Sequence, residues 1–414
     1  MFKNEVAEFI YKRTYSRWME DEGRREEWPE TIERFINFLV LKNGEKIPEK
    51  TVKKIRQYML EFAVMPSMRF LWSAGPAAEK DNTVIYNCSF AKLNCVEAFA
   101  ECLHILMCGT GFGFSVEEDE VSKLPSIPEI KSGKDIVREV IDDSREGWAD
   151  SVKTLMTSLY DGQNLYFDYS QLRPEGARLS TMGGRSSGPQ PLIKLHDFIR
   201  ETMHNAQGRK LTSLECHDIA NQIAEIVVAG GVRRSSQISL SDLNDEDMRH
   251  AKDWPFPIRR AMANNSAIYR EKPAAADFLV EWGVLAKSGS GERGIFNLES
   301  AQNQAPARRY SSKIQGTNPC GEIMLRDMEF CNLSEVVIRE EDDLDSLLDK
   351  VETATWLGVL QSTFTDFPYL RKQWKKNCDV ERLLGVSLTG QMDNPIVMNS
   401  EALKALKSRV LRIS

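Results

Sequence analysis

Asn318, Cys320 and Glu322 place an amide, a thiol and a carboxylate at alternate positions of the stretch NPCGE, and Cys331 follows eleven residues after Cys320. In an extended segment the side chains at i, i+2 and i+4 point the same way, so the three groups are expected to face one ligand. Pro319 disfavours helix for the residue before it, and Gly321 permits dihedrals that let backbone approach a ligand, so the stretch reads as a loop. A thiol held there could act as a one-electron hydrogen abstractor, with Glu322 as general base toward a neighbouring hydroxyl and Asn318 orienting the substrate. A radical reduction of a sugar needs that set. Cys331 and the distant Cys88 could complete it by donating a proton to a departing hydroxyl and supplying two electrons as they close a disulfide. That requires the fold to bring their Cα atoms within about 5.5–6 Å. The competing reading of any one of these cysteines is a small buried core residue, the commoner place for a free thiol.

These groups need a frame. Residues 1–64 read as helical, with Phe9, Ile10, Trp18, Ile32, Phe35, Phe38 and Leu39 at mixed three and four spacing. Trp18 and Trp28 read as packing anchors, and the charged stretch Glu20–Glu27 as a solvated connection. Residues 92–108 form a helix candidate ending at Gly109. His104 on it reads as a helix-face residue, because no group near it in sequence would tune it. The run GTGFGF at 109–114 follows a helix and lacks the strand-turn-helix order of a dinucleotide fingerprint. Further helices are expected near 192–206, 213–229 and 274–288, and strands at 237–240, 294–297 and 384–388. Helices alternating with short apolar strands argue for a parallel α/β architecture.

Composition removes several classes of function. The 414 residues carry a net charge of −7, whereas a polymeric nucleic acid partner calls for a basic face. No apolar run approaches the roughly 20 residues that span a bilayer. The eight cysteines include no C-x-x-C pair, so a structural zinc site is not expected, and no metal ligand is assigned. With no apolar leader in view, reduced thiols and a cytoplasmic location are expected.

The ordered motifs resemble the catalytic subunit of ribonucleotide reductases, most closely the adenosylcobalamin-dependent class II enzymes of the monomeric type. They are YKRTYSRW at 11–18, MPSMRFLW at 65–72, Asn87-Cys88, GTGFGF at 109–114, DSREGW at 143–148, Gly183-Gly184 with SGP at 187–189, GGVRRS at 230–235, the NPCGE loop, and LGVSLTGQ at 384–391. The short step from Cys320 to Cys331 is similar to class II, since class I enzymes space those cysteines wider. The resemblance implies a ten-stranded α/β barrel at 65–414, with the cysteine loop (about 316–334) threaded through its centre and a helical region at 1–64 before it. It implies reduction of ribonucleotides to 2'-deoxyribonucleotides by thiyl chemistry. Cys320 would be the radical site, Cys88 and Cys331 the reducing pair, Glu322 the base at the 3'-hydroxyl, and Asn318 a ribose partner. Ser67, Asn87 and Gly321 would contact substrate. Gly231, Arg233 and Arg234 would form the loop through which a deoxynucleotide effector sets base specificity.

The implied cofactor is adenosylcobalamin. The implied partners are ribonucleoside triphosphates, with diphosphates as the alternative, and a dithiol or thioredoxin-like reductant. Two departures from the family pattern shape the expectations. The segment 125–142 is brief where monomeric class II enzymes carry a long insertion, which leaves either reduced effector control or a dimer built on the helices near 92–108 and 145–160. The chain also stops before the family's phosphate-binding turn and terminal cysteine pair, which leaves three readings: a split subunit that needs a complementary C-terminal polypeptide, an unusually minimal enzyme, or a piece of a longer chain. Two other readings use the same residues: a class I-like subunit that receives its radical from a metalloprotein, and a non-catalytic half of a split reductase.

Overall fold

Alternate residues of the strand Gly111–Ser115 serve two different layers. Phe112 and Phe114 point into the main apolar core, which they share with Phe99 and Leu103 of the helix Val96–Met107, while Gly111 and Gly113 leave the other face bare. The computed structural model describes residues 2, 4–44, 47–130, 137–178, 185–229 and 236–414. Among them, this strand lies inside a six-stranded sheet ordered Gly294–Asn297, Ala263–Tyr269, Gln237–Asp242, Gly111–Ser115, Cys88–Lys92 and Glu329–Cys331. The first five strands run parallel, and the last is antiparallel to Cys88–Lys92. Parallel neighbours need long crossovers. Helices provide them, Val96–Met107 between strands 88–92 and 111–115, and Ala275–Ser288 between strands 263–269 and 294–297.

A second sheet sets Leu333–Val337 between Gly385–Thr389, parallel, and Val64–Met65, antiparallel. The chain crosses from one sheet to the other at buried Asn332, whose Nδ2 donates to the Leu383 carbonyl at 2.8 Å. The α/β class is therefore as expected. Among the described residues, however, the strands form these open sheets rather than one closed ten-stranded ring.

The N-terminal region folds as the helices Glu5–Thr14, Trp28–Asn43 and Glu49–Leu60. Trp28, Ile32, Phe35, Phe38 and Leu39 are buried, whereas Phe9, Ile10 and Trp18 are exposed. The stretch expected to be a solvated connection is largely exposed and turns within a short ribbon that pairs Trp18–Met19 with Arg24–Arg25. Its Glu26 is buried because Arg34 on the next helix reaches it at 2.7 Å, and a buried carboxylate needs such a partner. The helices Val96–Met107 and Arg145–Tyr160 pack on each other, and every residue from Ala98 to Leu106 is buried. The first of the two helices expected to form a dimer face therefore has no free side along that stretch.

His104 is correspondingly not a surface residue. Its Nε2 lies 2.9 Å from Asp81 Oδ2 and 3.6 Å from Cys108 Sγ, and Arg145 Nη1 donates to the same sulfur at 3.0 Å. Asp81, His104 and Cys108 bring three potential metal-ligand atoms within 4.8 Å of one another. The carboxylate and imidazole already bond each other and the guanidinium occupies the thiol, so the cluster is a charge-paired network. Burial disfavours the imidazolium, but Cys108 and Asp81 outweigh it and push His104 up to about 10. Burial likewise opposes the Asp81 carboxylate, and hydrogen bonds from His104 and Thr83 outweigh it and hold it at about 2.

A raised histidine stabilises fully below its unfolded value and loses that contribution as pH rises through about 10. A depressed aspartate stabilises above its unfolded value and loses that contribution as pH falls through about 2. Asp81→Asn, which breaks a buried pair, is expected to cost about 3 kcal/mol. The cost should be largest from about pH 4 to 6.5 and shrink toward alkaline pH. Urea midpoints of both proteins across pH check this, and a difference that is flat with pH would refute the pairing.

Candidate active site

The hairpin that carries the cysteine loop lies across the bare face of the parallel sheet. Its arms, Ile314–Thr317 and Met324–Arg326, pair antiparallel. A Cβ on Gly113 would stand 2.2 Å from the Thr317 carbonyl oxygen, and one on Gly316 would stand 2.2 Å from the Phe90 ring. Over Gly111 sits Pro319, with its Cγ 3.1 Å from where a Cβ would be. The GTGFGF run is thus the seat of the hairpin. Gly113→Ala should lift the hairpin and lower stability by about 1–3 kcal/mol, the usual cost of overpacking. An unchanged urea midpoint would show that the hairpin does not rest there.

The loop itself is a turn, not the extended segment that alternation suggested. Gly321 N donates to the Asn318 carbonyl at 2.9 Å, with Pro319 and Cys320 at the corners. Proline suits the first corner because its φ is preset. Gly321 has φ +84°, a value that glycine reaches without strain. The turn splits the expected trio: Asn318 is buried, while Cys320, Gly321 and Glu322 are exposed. Asn318 Oδ1 accepts from Ile323 N at 2.9 Å and from Thr317 Oγ1 at 3.3 Å, which pins the base of the turn. Its Nδ2 is buried without a partner. An unmade hydrogen bond in that setting costs about 1–3 kcal/mol, so the amide stands ready to donate to a ligand.

Beneath the turn, Cys88 and Cys331 face each other across the antiparallel strand pair. Directly opposed residues in such a pair have Cα atoms about 4.5–5.5 Å apart, inside the range that a disulfide spans. The two thiols hydrogen-bond. That contact, then burial, then the nearby carboxylates of Glu322 and Glu329 push the Cys331 thiol well above its ordinary value. Cys331 is 1% exposed and Cys88 8%. Cys88 is also in register with Gly111, over which Pro319 lies, so the thiol pair and the turn share one face of the sheet.

The remaining expected residues are placed less directly. Asn87 has its Oδ1 buried without a partner, and its carbonyl accepts from Gly111 N at 2.8 Å. Ser67 caps the helix Met68–Ser73, accepting from Phe70 N at 3.1 Å, and its hydroxyl donates to the Ile85 carbonyl at 3.3 Å. Gly231, Arg233 and Arg234 lie outside the described residues. Two groups escaped the sequence reading: Asp81, the partner of His104 from 23 residues upstream, and Glu329, which is fully buried on the strand of Cys331.

An α/β sheet crossed by a cysteine-bearing turn, with two closable thiols opposed beneath it, defines the class of protein. Residues 1–76 match the profile of the ribonucleotide reductase alpha domain, and residues 119–203 match that of the B12-dependent ribonucleotide reductase insertion domain. An adenosylcobalamin-dependent ribonucleoside-triphosphate reductase of Levilactobacillus brevis is 30% identical over 495 residues, covering 98% of this chain and 63% of its own. The protein of the same description in Lactobacillus gasseri is 29% identical, covering 94% of this chain and 62% of its own. A crystal structure of a B12-dependent class II ribonucleotide reductase superposes with a TM-score of 0.77 at 25% identity, over 93% of this chain and 62% of that one. A class Id alpha subunit from Actinobacillus ureae shares the fold, with a TM-score of 0.57 at 12% identity, over 99% of this chain and 66% of that one.

Along most of its length the chain is similar to B12-dependent class II ribonucleotide reductases. It spans 62–63% of the length of these two curated relatives. The match at 119–203 includes the segment 125–142, so the insertion expected to be brief is represented by residues that fit the insertion-domain profile. The alignment with the L. brevis protein runs over 495 residues, more than the 414 of this chain, so segments of that relative have no counterpart here. Among the described residues, no helix is long and apolar enough to cross a membrane.

Proposed function

We propose that this chain carries the reducing site of an adenosylcobalamin-dependent ribonucleoside-triphosphate reductase. The observation that supports this reading is the facing of Cys88 and Cys331 under the turn that exposes Cys320. An exposed residue with open space around the adjoining Gly321 fits a radical-generating group on that side, and Cys320 and Gly321 would face it. When bound, adenosylcobalamin supplies a carbon-centred radical able to take a hydrogen atom from a thiol.

In this reading Cys320 as a thiyl takes the 3' hydrogen of the ribose while Glu322 accepts the proton of the 3'-hydroxyl. Asn318 Nδ2 donates to the sugar. The 2'-hydroxyl leaves as water with a proton from the Cys88 and Cys331 pair, whose two electrons reduce the carbon skeleton as the disulfide forms. The second thiol proton goes to C2', Glu322 returns its proton to the 3'-oxygen, and Cys320 returns its hydrogen to C3'. The balance is one ribonucleotide and two thiols giving one deoxyribonucleotide, one water and one disulfide.

Triphosphate substrates, action in the cytoplasm and a thioredoxin-like reductant belong to the same proposal, as do the substrate contacts of Ser67, Asn87 and Gly321. A deoxynucleotide effector acting through Gly231, Arg233 and Arg234 is proposed on motif position alone. A scaffold without chemistry need not retain all five of Cys88, Asn318, Cys320, Glu322 and Cys331, which favours the catalytic reading over a passive half.

The test is deoxyribonucleotide formation by the reduced chain under anaerobic conditions with adenosylcobalamin, a ribonucleoside triphosphate and a dithiol. Product dependent on all three is expected. Folded protein that yields no product and forms no Cys88–Cys331 bond on oxidation would overturn the reading.

A further inference from the structure

Two carboxyl groups that the proposed chemistry does not use meet beside the thiol pair. Glu329 lies two residues before Cys331 on the strand that pairs with Cys88–Lys92, opposite Phe90, and alternate residues of a strand share a face. The carboxyl of Glu329 is fully buried and hydrogen-bonds that of Glu381, at the end of the helix Lys372–Glu381. Two carboxylates cannot make that bond without a proton between them.

The surrounding charges say which of the two holds it. Arg309 grips both oxygens of Glu381, with Nη2 at 2.8 Å from Oε2, and Arg326 Nη2 reaches Oε1 at 2.6 Å. Glu329 receives only the Arg326 backbone N–H at 2.8 Å on Oε2, with Arg309 at 3.7 Å, and no donor reaches its Oε1. The hydrogen bonds of Arg309 outweigh burial and keep Glu381 below its ordinary value. Burial, then the Glu381 charge, raise Glu329 to about 8. Cys378 on the same helix and Cys331 on the same strand also feel the Glu329 charge. The proton therefore resides on Glu329 at neutral pH.

We propose that Glu329 is the proton source for Cys331 when the Cys88–Cys331 disulfide is reduced, with Glu381 and its two arginines holding that proton in place. The inference rests on the reading of these cysteines as the reducing pair. Cys88 is the more exposed of the two, so an external dithiol attacks its sulfur. The S–S bond breaks, a mixed disulfide forms at Cys88, and Cys331 leaves as a buried thiolate. That anion is disfavoured where it stands, and the Glu329 proton neutralises it. The second thiol of the dithiol then releases Cys88 and closes its own disulfide, so the dithiol supplies both electrons. Glu329 regains a proton from solvent.

The experiment uses the whole chain oxidised with diamide, with dithiothreitol as reductant and the Cys88–Cys331 peptide followed by mass. No substrate or cofactor is needed. The reduction rate, divided by the thiolate fraction of the reagent, is expected to fall in the native protein as pH rises through about 8. Glu329→Gln should lose that break and slow at neutral pH by about tenfold or more, and Glu329→Asp should restore part of both. Should Glu329→Gln fail to fold, Glu381→Gln serves in its place. Removing the Glu381 charge lowers the carboxyl of Glu329, so the break should move to more acid pH. An unchanged pH profile in both substitutions overturns the proton role. Absence of the Cys88–Cys331 bond in the oxidised native chain overturns the reducing-pair reading instead, and this inference with it.

Discussion

Cys320→Ala should reduce deoxyribonucleotide formation by about 10⁴-fold or more, the scale seen when the reactive group itself is deleted. The expectation follows from where the residue stands. The residue is exposed at the corner of a turn whose shape comes from Pro319, Gly321 and the pinned Asn318. Stability should change by about 0.5 kcal/mol or less, as at other surface positions. Cys320→Ser should be as inactive as Cys320→Ala, because the stronger O–H bond does not yield its hydrogen to a carbon radical. Product analysis beside a urea midpoint checks both. Residual turnover in either variant, with native stability, would show that another group carries the radical.

How the site is held was only partly legible in the sequence. The NPCGE stretch announced a loop through Pro319 and Gly321, yet its turn exposes Cys320 and buries Asn318, a split that two-residue alternation does not foresee. The GTGFGF run that holds strand Gly111–Ser115 was legible only as a stretch after a helix that is not a dinucleotide fingerprint. The need for its glycines was not, because the group they make room for, the Thr317 carbonyl, is two hundred residues away in the chain.

The facing of Cys88 and Cys331 is likewise a matter of register between distant strands, and spacing along a chain carries no such information. His104 looked like a bystander for the same reason: its partner Asp81 comes from before the preceding strand. Glu329 did leave a local trace. An acidic residue two positions before a cysteine in a strand shares that cysteine's face, and a charge on a buried face needs a counterion. Helices were read more reliably, within a few residues for 213–229 and 275–288, since their periodicity is local. The closed barrel came from the resemblance alone, and the described strands form a six-stranded sheet, a three-stranded sheet and three two-stranded ribbons.

Cys331→Ser separates the two halves of the proposed chemistry and should lower sustained turnover by about 10³-fold or more. The serine cannot supply the second electron, so the Cys88–Cys331 bond never forms. Cys320, Asn318 and Glu322 remain in place, because Cys331 lies in the strand beneath the turn rather than in the hairpin arms. Hydrogen abstraction at C3' should therefore continue. A thiol exchanges its hydrogen with water, so label at the 3' carbon should appear in solvent with Cys331→Ser and be absent with Cys320→Ala. The buried hydroxyl faces the Cys88 sulfur in place of a thiol and should cost about 1 kcal/mol, too little to unfold the chain. Native turnover by Cys331→Ser with a dithiol would place the reducing electrons elsewhere. Loss of label exchange along with turnover would mean that Cys331 also shapes the turn above it.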